Sequence, residues 1–284
     1  MPELPEVETI RIRLDTVLKG KTVRSVKILS KKQFPQSVSL VVGEKIIKVE
    51  RRAKLLILRL THKKNLMIHL KLNGQLIWIR NGVTGDKVLL KRSVPTIGSS
   101  LPAKSTRVIL GIGRGRLFFN EMRKFGWIKL VKDDELQREL SKYGVEPLTN
   151  DFSASYLENI CRNSQRAIKL VLLDQEKIAG IGNIYASESL FLSKINPAIS
   201  ADKLTLNRIR DLRGNIVKVL KLGLKYGGTS EEYYLRPDMT TGNYQKHFLV
   251  YGRTGDKCKK CGSLIKRISL GGRGTFFCPK CQKS

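Results

Sequence analysis

The first twenty residues place apolar side chains at helical spacing. The apolar positions are Val7, Ile10, Leu14 and Leu18. Pro5 suits the first turn of a helix, where its missing N–H costs no hydrogen bond, and Gly20 ends the run. The pattern predicts an amphipathic helix that buries one face against a core.

Eight short apolar segments with strand character follow this helix. They lie at 23–29, 45–49, 55–60, 66–70, 76–79, 107–110, 117–119 and 127–131. Turn residues separate several of them, at Gly43, Asn73-Gly74, Asn81-Gly82 and 113–115. Short strands divided by turns are typical of antiparallel sheets, so this half of the chain is predicted to form a β-sandwich or barrel.

The apolar spacing becomes helical from residue 133 onward. Helices are predicted within 134–143, 153–162, 166–175, 184–192 and 204–226. The stretch 227–244 has many turn residues and little periodicity, which predicts a mobile loop, and a small terminal module follows it. The chain is therefore predicted to be an α+β protein of four parts, at 1–132, 133–226, 227–247 and 248–284.

The chain carries a large excess of positive charge. Its 284 residues include 54 Lys and Arg against 24 Asp and Glu, which gives a formal net charge of +30 at pH 7. Such a field attracts polyanions, and nucleic acid is the leading candidate partner. Charge alone leaves open the alternative of a ribosome-associated protein or a merely very soluble basic one.

The sequence argues against membrane insertion and export. Hydrophobic residues make up 41% of the chain, yet no unbroken apolar run approaches the length of about 18 residues that a spanning helix needs. No basic segment followed by an apolar one opens the chain, so we expect a cytoplasmic protein. In that reducing compartment the five cysteines are expected to be metal ligands or thiols rather than disulfides.

Four cysteines form two CxxC pairs near the end of the chain. They are Cys258, Cys261, Cys278 and Cys281. The interval between the pairs is typical of zinc sites in which a closed tetrahedron of thiolates leaves no position for a substrate. We therefore predict one structural Zn²⁺ that holds a two-stranded hairpin over 262–277, because so small a hairpin has no core of its own. A redox-active pair of dithiols is the alternative, and Cys161 is expected to be a core or neutral surface thiol.

A glycine-rich segment precedes the helix predicted at 184–192. In GIGNIYASESL, the backbone N–H groups around Gly180, Gly182 and Asn183 can hold a phosphate at the helix start. The predicted hairpin tip adds Arg273 between glycines, which let the backbone approach a ligand closely. The two basic elements together indicate a clamp on a duplex, although most glycine-asparagine pairs before a helix are simple turns and caps.

The chain start, MPELPEVETI, offers a nucleophile. Removal of Met1 would leave Pro2 with a free secondary amine, and an α-amino group, with a pKa of about 7.7–8.0, is partly unprotonated at neutral pH. Attack on an anomeric carbon would give an iminium ion. Glu3 could protonate the sugar ring oxygen, and Glu6 could accept from the amine or from a backbone N–H. The alternative is that the prolines start a helix whose dipole the glutamates complement.

Several motifs in combination resemble those of the bacterial formamidopyrimidine-DNA glycosylases. They are PELPEVET at the start, RRAK at 51–54, GIGNIYASESLF at 180–191, GGTS at 227–230, VYGR at 250–253 and the paired cysteines. The resemblance runs along essentially the whole chain. It implies an N-terminal β-sandwich behind a helix, a helix-two-turn-helix domain, a loop that caps the lesion, and a C-terminal zinc-finger β-hairpin.

The resemblance also implies an activity, which is base-excision repair of oxidised purines such as 8-oxoguanine and formamidopyrimidines in double-stranded DNA. A monomeric enzyme would remove the base and then cut the backbone by β,δ-elimination. Pro2 would be the Schiff-base nucleophile, Glu3 the main proton donor and Glu6 a supporting carboxylate. The family assigns β-elimination to the lysine that matches Lys54 and δ-elimination to the arginine that matches Arg273.

Three residues would fill the gap left when the damaged base is extruded. HLKLNG and EMRKFG match the two loops that do this in the family, so Leu72, Arg123 and Phe125 are the candidates, with Arg123 facing the orphaned cytosine. Asn183 would be a further DNA contact. Taken singly, Leu72 and Phe125 fit core or turn packing as well.

Two positions depart from the family pattern. Ser105 stands where a DNA-contacting histidine is usual, with Arg107 nearby, and Gln165 or Ser164 replaces a lysine. Three other functions stay open: an endonuclease VIII-type enzyme for oxidised pyrimidines, a DNA-binding protein that recognises lesions without cutting, and a basic zinc-ribbon protein that binds RNA. The GGTS and RKF motifs favour the purine enzyme over the first of these.

Overall fold

A computed structural model describes residues 1–80, 87–94, 97–230 and 235–283, with the backbone alone at 91 and 92. These residues form two compact units. The first comprises Met1–Leu140 and Tyr226–Asn243, and the second comprises Ser141–Lys225 and Tyr244–Ser284. The division of the chain at 132, 226 and 247 stays a prediction, and the predicted turn at Asn81-Gly82 lies outside the described residues.

The first unit contains two four-stranded antiparallel sheets. Its elements are α1 (Leu4–Leu18), β1 (Val23–Ile28), β2 (Ile46–Arg52), β3 (Leu55–Leu60), β4 (Lys64–His69), β5 (Gln75–Arg80), β6 (Val88–Val94), β7 (Gly98–Leu101), β8 (Thr106–Ile112), β9 (Gly115–Asn120), β10 (Trp127–Lys132) and α2 (Asp133–Leu140). One sheet has the strand order β1-β8-β9-β5 and the other β10-β4-β3-β2, while β6 and β7 pair as a separate hairpin. The predicted β-sandwich behind a leading helix is confirmed.

One apolar core joins α1 to both sheets. The four positions that gave α1 its helical spacing are fully buried in it. Alternate residues of β3, β5 and β8 are part of this core, including Leu56 and Leu58 of β3, Leu76 of β5 and Leu110 of β8. Burying each such leucine contributes roughly 1.5–3 kcal/mol to folding. The core thereby fixes the helix that carries the chain start against the sandwich.

The β1-β8-β9-β5 sheet also buries its opposite face. Ile77, Ile109 and Phe118 alternate with residues of the main core and therefore point the other way. A second core forms there from these three residues, from Val88, Val94, Ile97 and Leu101 of the β6–β7 hairpin, and from Leu235. The sequence did not predict this hairpin, because β7 reads Gly-Ser-Ser-Leu and has a single apolar side chain.

The second unit is helical with a terminal hairpin. Its described elements are α3 (Ala154–Arg162), α4 (Ile168–Leu173), α5 (Asn183–Leu192), α6 (Leu206–Lys225), β11 (Lys266–Leu270) and β12 (Arg273–Phe277). The helices predicted from apolar spacing are confirmed, and the hairpin lies between the CxxC pairs as expected. Within the described parts of the chain, no helix is both long and apolar enough to cross a membrane.

Helix α5 carries a buried carboxylate that organises the VYGR segment. Glu188 is 1% exposed, and its two oxygens accept hydrogen bonds from the backbone N–H groups of Leu249, Val250 and Tyr251 at 2.9, 3.0 and 2.9 Å. Burial raises the pKa of Glu188, while the three donors act in the opposite direction. The chain between α6 and the hairpin is thereby tied to α5.

Candidate active site

Pro2, Glu3 and Glu6 are buried at the first turn of α1. Pro2 directly precedes Glu3, the N-cap residue of the helix. Glu3 is 3% exposed and Glu6 is 1% exposed. The Oε2 atom of Glu6 accepts the backbone N–H of Glu3 at 2.9 Å, which is one half of a capping box. Two carboxyl groups are therefore held beside Pro2, away from bulk water.

The GGTS segment contacts this helix start. The backbone N–H of Thr229 donates to Oε1 of Glu6 at 2.8 Å, so that each oxygen of this carboxylate accepts a backbone hydrogen bond. Gly228 has a φ of +79°, and a Cβ atom there would lie 2.9 Å from both Cγ and Oε1 of Glu6. Only glycine permits this approach, which explains why position 228 is a glycine.

Lys54 lies in the tight turn between β2 and β3. Ala53, which precedes it, has a φ of +53°. Arg51 holds the turn, because its Nη1 donates to the Ala53 carbonyl at 2.9 Å while its Nε donates to the carboxylate of Glu8 at 2.9 Å. The Lys54 side chain is buried. Arg51 thus links the turn that carries Lys54 to the helix that begins after Pro2.

Strand register brings this turn next to two loops. Strand β3 begins opposite His69 of β4, and His69 lies opposite Trp127, where β10 begins. The Lys54 turn, the loop 70–74 and the loop 121–126 therefore leave the same end of one sheet. Three segments that are far apart in sequence, RRAK, HLKLNG and EMRKFG, are neighbours in the fold.

His69 is a partly buried histidine at this end of the sheet. Burial, followed by the charges of Lys71 and Lys54, lowers the pKa of His69 to about 3. Its Nδ1 accepts the backbone N–H of Lys71 at 2.9 Å, which puts the ring proton on Nε2. The imidazole is therefore neutral at physiological pH and offers an N–H donor. No sequence pattern pointed to His69, because its position at the site follows from strand pairing alone.

The loop 121–126 is built around one buried carboxylate. Glu121 is fully buried and accepts the backbone N–H groups of Arg123, Phe125 and Gly126 at 3.0, 2.5 and 2.5 Å. The guanidinium carbon of Arg123 lies 5.4 Å from the centre of the Phe125 ring. Phe125 is 52% exposed and Leu72 is 41% exposed. Leu72, Arg123 and Phe125, the candidates for filling the gap left by the extruded base, thus belong to loops at one end of the sheet. The two apolar side chains are exposed to solvent.

Removing the Glu121 carboxylate should loosen this loop and destabilise the first unit. The Glu121→Ala variant leaves three backbone donors without their acceptor, and we expect the free energy of unfolding to fall by about 3 kcal/mol or more. Urea denaturation measures the change, with Glu176→Ala, at an exposed glutamate, as the control. A loss within about 0.5 kcal/mol, as is usual for surface substitutions, would show that Glu121 does not organise the loop.

In the second unit, Asn183 and Lys169 hold the tip of the hairpin. The Nδ2 of Asn183 donates to the carbonyl of Gly274 at 2.9 Å, and its Oδ1 is buried without a hydrogen-bond partner. The fully buried Lys169 donates from Nζ to the same carbonyl at 3.1 Å and to Oγ1 of Thr275 at 2.8 Å. Arg273, at the tip, is exposed. The predicted pair Asn183 and Arg273 therefore belongs to one assembly, in which Lys169 was not anticipated.

The four predicted zinc ligands come together at the base of the hairpin. Their Sγ atoms all lie within 4.8 Å of one another, with 4.0 Å between Cys258 and Cys281 and 3.5 Å between Cys261 and Cys278. A tetrahedron with Zn–S bonds of about 2.3 Å separates its sulfurs by about 3.8 Å, so these thiolates fit the ion. Gln282 supports the site, because it accepts the Cys278 N–H at 2.9 Å and donates to the Ile195 carbonyl at 2.8 Å.

The positions that depart from the family pattern have structural contacts. The carbonyl of the buried Ser105 accepts the backbone N–H of Glu121 at 2.8 Å, and Nε of Arg107 donates to the Glu121 carbonyl at 2.8 Å. Both residues therefore brace the Arg123 loop from its base. Gln165 is exposed, and its carbonyl accepts the hydroxyl of Ser200 at 2.8 Å.

The chain is similar to one protein family along its whole length. Three family models match: the formamidopyrimidine-DNA glycosylase N-terminal domain at 1–128, the formamidopyrimidine-DNA glycosylase H2TH domain at 143–234, and the zinc finger found in FPG and IleRS at 255–283. A formamidopyrimidine-DNA glycosylase of Carboxydothermus hydrogenoformans is 35% identical, with 100% of both chains covered.

Two solved structures of the Lactococcus lactis protein extend this similarity to three dimensions. One is its complex with a Fapy-dG-containing DNA, at 30% identity and a TM-score of 0.86. The other is its complex with a DNA that contains an abasic site, at 30% identity and a TM-score of 0.87. Each covers 99% of this chain and 100% of the other.

Proposed function

The chain belongs to the formamidopyrimidine-DNA glycosylase family, and we propose that it removes oxidised purines from double-stranded DNA and cuts the strand at the resulting abasic site. The observation that carries this is the sheet end where Lys54 and the loops 70–74 and 121–126 meet, next to the helix start with Glu3 and Glu6. The net charge of +30 supports DNA as the substrate. Both domains of the family are present, together with its zinc finger.

Pro2 is proposed to be the nucleophile once Met1 has been removed. The lone pair of its secondary amine forms a bond to C1′ of the damaged nucleotide, and the bond from C1′ to the base breaks with its electron pair leaving on the base. The base takes up a proton as it departs. The Pro2 nitrogen then loses its proton, and the bond between C1′ and the ring oxygen breaks as that oxygen takes up a proton. The product is an iminium ion between Pro2 and C1′, so this step needs no metal.

Glu3 and Glu6 are proposed to have different roles, and their contacts support the distinction. Both oxygens of Glu6 accept backbone N–H groups, from Glu3 and from Thr229, so this carboxylate positions the chain start and the GGTS segment. Glu3 is adjacent to Pro2 and buried, which suits a carboxyl group that gives a proton to the ring oxygen and later takes one back.

Lys54 and Arg273 are proposed to assist strand cleavage. In β-elimination a proton leaves C2′ of the iminium and the 3′ phosphate departs, and in δ-elimination the 5′ phosphate departs as well. Lys54 is a buried cation at the sheet end, and Arg273 is an exposed cation at the hairpin tip. Positive charge beside a departing phosphate stabilises its developing negative charge. The four cysteines would hold zinc as a structural ion that supports the tip.

The exposed side chains of the two loops are proposed to take the place of the extruded base. Base extrusion costs a few kcal/mol, which an inserted apolar or planar group offsets in part. Leu72 and Phe125 are large exposed apolar residues, and the Arg123 guanidinium lies near the Phe125 ring. An exposed guanidinium beside an aromatic ring suits a contact with the orphaned cytosine. The loop at 227–247, here called the capping segment, is proposed to cap the extruded base.

The experiment is a cleavage assay on four duplexes that differ at one position. We expect excision and strand cleavage at 8-oxoguanine opposite cytosine, with strand ends that carry phosphate on both sides of the gap. The other duplexes carry an oxidised pyrimidine, a preformed abasic site or no damage. Faster cleavage at the pyrimidine would favour an endonuclease VIII-type enzyme, and tight lesion binding without cleavage would favour a non-catalytic protein.

A further inference from the structure

Residues 235–240 of the capping segment pack onto the β6–β7 hairpin. Leu235 is 8% exposed and belongs to the second core, which it shares with four hairpin residues and three residues of the β1-β8-β9-β5 sheet. Met239 packs against the same core. The described end of this segment therefore has an apolar support of its own, separate from the helix start that holds Thr229.

Polar contacts fix the backbone at the same place. The N–H of Trp78, in β5, donates to the carbonyl of Pro237 at 2.8 Å. The Asp238 carboxylate forms an ion pair with Arg13 of α1. The segment is thereby joined both to the sheet that the hairpin covers and to the helix that begins after Pro2.

Arg236 joins the two ends of the segment. Its Nη2 donates to the carbonyls of Gly227 and Tyr226 at 3.0 and 3.3 Å, and its Nη1 donates to Oγ1 of Thr240 at 3.4 Å. A Cβ atom on Gly227 would lie 1.7 Å from Nη2, so the guanidinium occupies the space that a side chain would need. Arg236 therefore ties the start of the segment, at Tyr226 and Gly227, to Thr240.

We propose that the β6–β7 hairpin fixes residues 235–240 of the capping segment and thereby affects recognition of the damaged base. Leu235 and Met239 pack on the core that the hairpin completes, whereas Thr229 is held separately by Glu6. An abasic site has no base for the segment to contact, so reaction there does not depend on the hairpin. This inference rests on the proposed function.

Two adjacent hairpin residues provide a matched pair of variants. Val88 is 6% exposed within the second core, and its neighbour Leu89 is 79% exposed. Asparagine at position 88 puts an amide into the core under the segment, whereas asparagine at position 89 faces water. Both variants are made in the full-length, zinc-loaded protein.

Hydrogen exchange tests, without any substrate, whether the hairpin holds residues 235–240 in place. In Val88→Asn we expect the amides of Trp78, Arg236 and Met239 to exchange at least tenfold faster than in the unaltered protein, because their acceptors lie within or beside the displaced segment. Leu89→Asn should leave these rates unchanged. Equal rates in Val88→Asn and the unaltered protein would overturn the inference.

Single-turnover assays test whether the hairpin affects excision of the damaged base. For Val88→Asn we expect excision of 8-oxoguanine to fall at least tenfold and cleavage of a preformed abasic site to stay within twofold. Met239→Ala weakens the packing of the segment on the same core. It should likewise slow excision and leave cleavage of the abasic site unchanged, so it tests the inference even if Val88→Asn does not fold. A parallel fall in both reactions would mean that the hairpin only stabilises the fold. If the unaltered protein excises nothing, the proposed function fails, and the exchange rates still decide whether the hairpin holds the segment.

Discussion

Replacing Pro2 with glycine should reduce excision of 8-oxoguanine by on the order of 10³-fold or more, because it removes the secondary amine whose iminium ion carries a permanent positive charge. The replacement leaves a primary amine in place of the secondary amine, and the imine it forms must be protonated before it carries the charge that a proline iminium has permanently. Because the primary amine can still form an imine, some cleavage of preformed abasic sites should remain. Mass spectrometry must first establish that Met1 is absent.

Borohydride trapping identifies the atom that reacts. On a duplex with 8-oxoguanine opposite cytosine, the unaltered protein should give a covalent adduct that maps to Pro2. Pro5→Gly is the matched control, because it alters a proline in the first turn of the same helix but not the terminal amine. An adduct on Lys54, or full excision by Pro2→Gly, would refute the role proposed for Pro2.

Loss of one zinc ligand should abolish DNA binding by the second unit's hairpin. The Cys278→Ser variant removes a thiolate that also lies in an apolar cluster with Phe191 and Val250. Structural zinc contributes on the order of 10 kcal/mol to the folding of small zinc modules, far more than the hairpin's own packing supplies. We expect a fall from one zinc per chain to none, by elemental analysis, together with loss of gel-shift binding and of strand cleavage.

Cys161→Ala is the control for this experiment. Cys161 is fully buried in α3, and burial raises the pKa of its thiol to about 11, so it is a core thiol rather than a ligand. The control should retain one zinc and normal binding. A Cys278→Ser protein that keeps both its zinc and its affinity for DNA would contradict the assignment of the four ligands.

Local spacing made α1 and the metal site predictable. The apolar positions of α1 needed only one helical period, and the ligand cysteines needed only their intervals. The β6–β7 hairpin was missed because its strands are stabilised by residues of other elements, Ile109 and Phe118 among them. These contacts join residues that are far apart in sequence, so no local sequence pattern predicts them.

The candidate site likewise has one part that the sequence predicts and one part that it does not. Pro2, Glu3 and Glu6 stand within one short motif, and their proximity follows from the sequence itself. Glu121 and His69 matter because strand pairing brings them to one sheet end, which no spacing along the chain reveals. Lys169 left a faint signal, since it interrupts the apolar run of α4, but its acceptors lie more than a hundred residues later.

The hydrogen bond between Glu6 and Thr229 has a consequence for how the protein is made. A ribosome delivers Glu6 among the first residues of the chain and Thr229 more than two hundred residues later. The first unit also needs residues up to Asn243, which emerge after helices α3 to α6 of the second unit. A nascent chain that stops before residue 229 therefore lacks the second hydrogen-bond donor to Glu6, and the first unit is complete only after Asn243 has been synthesised.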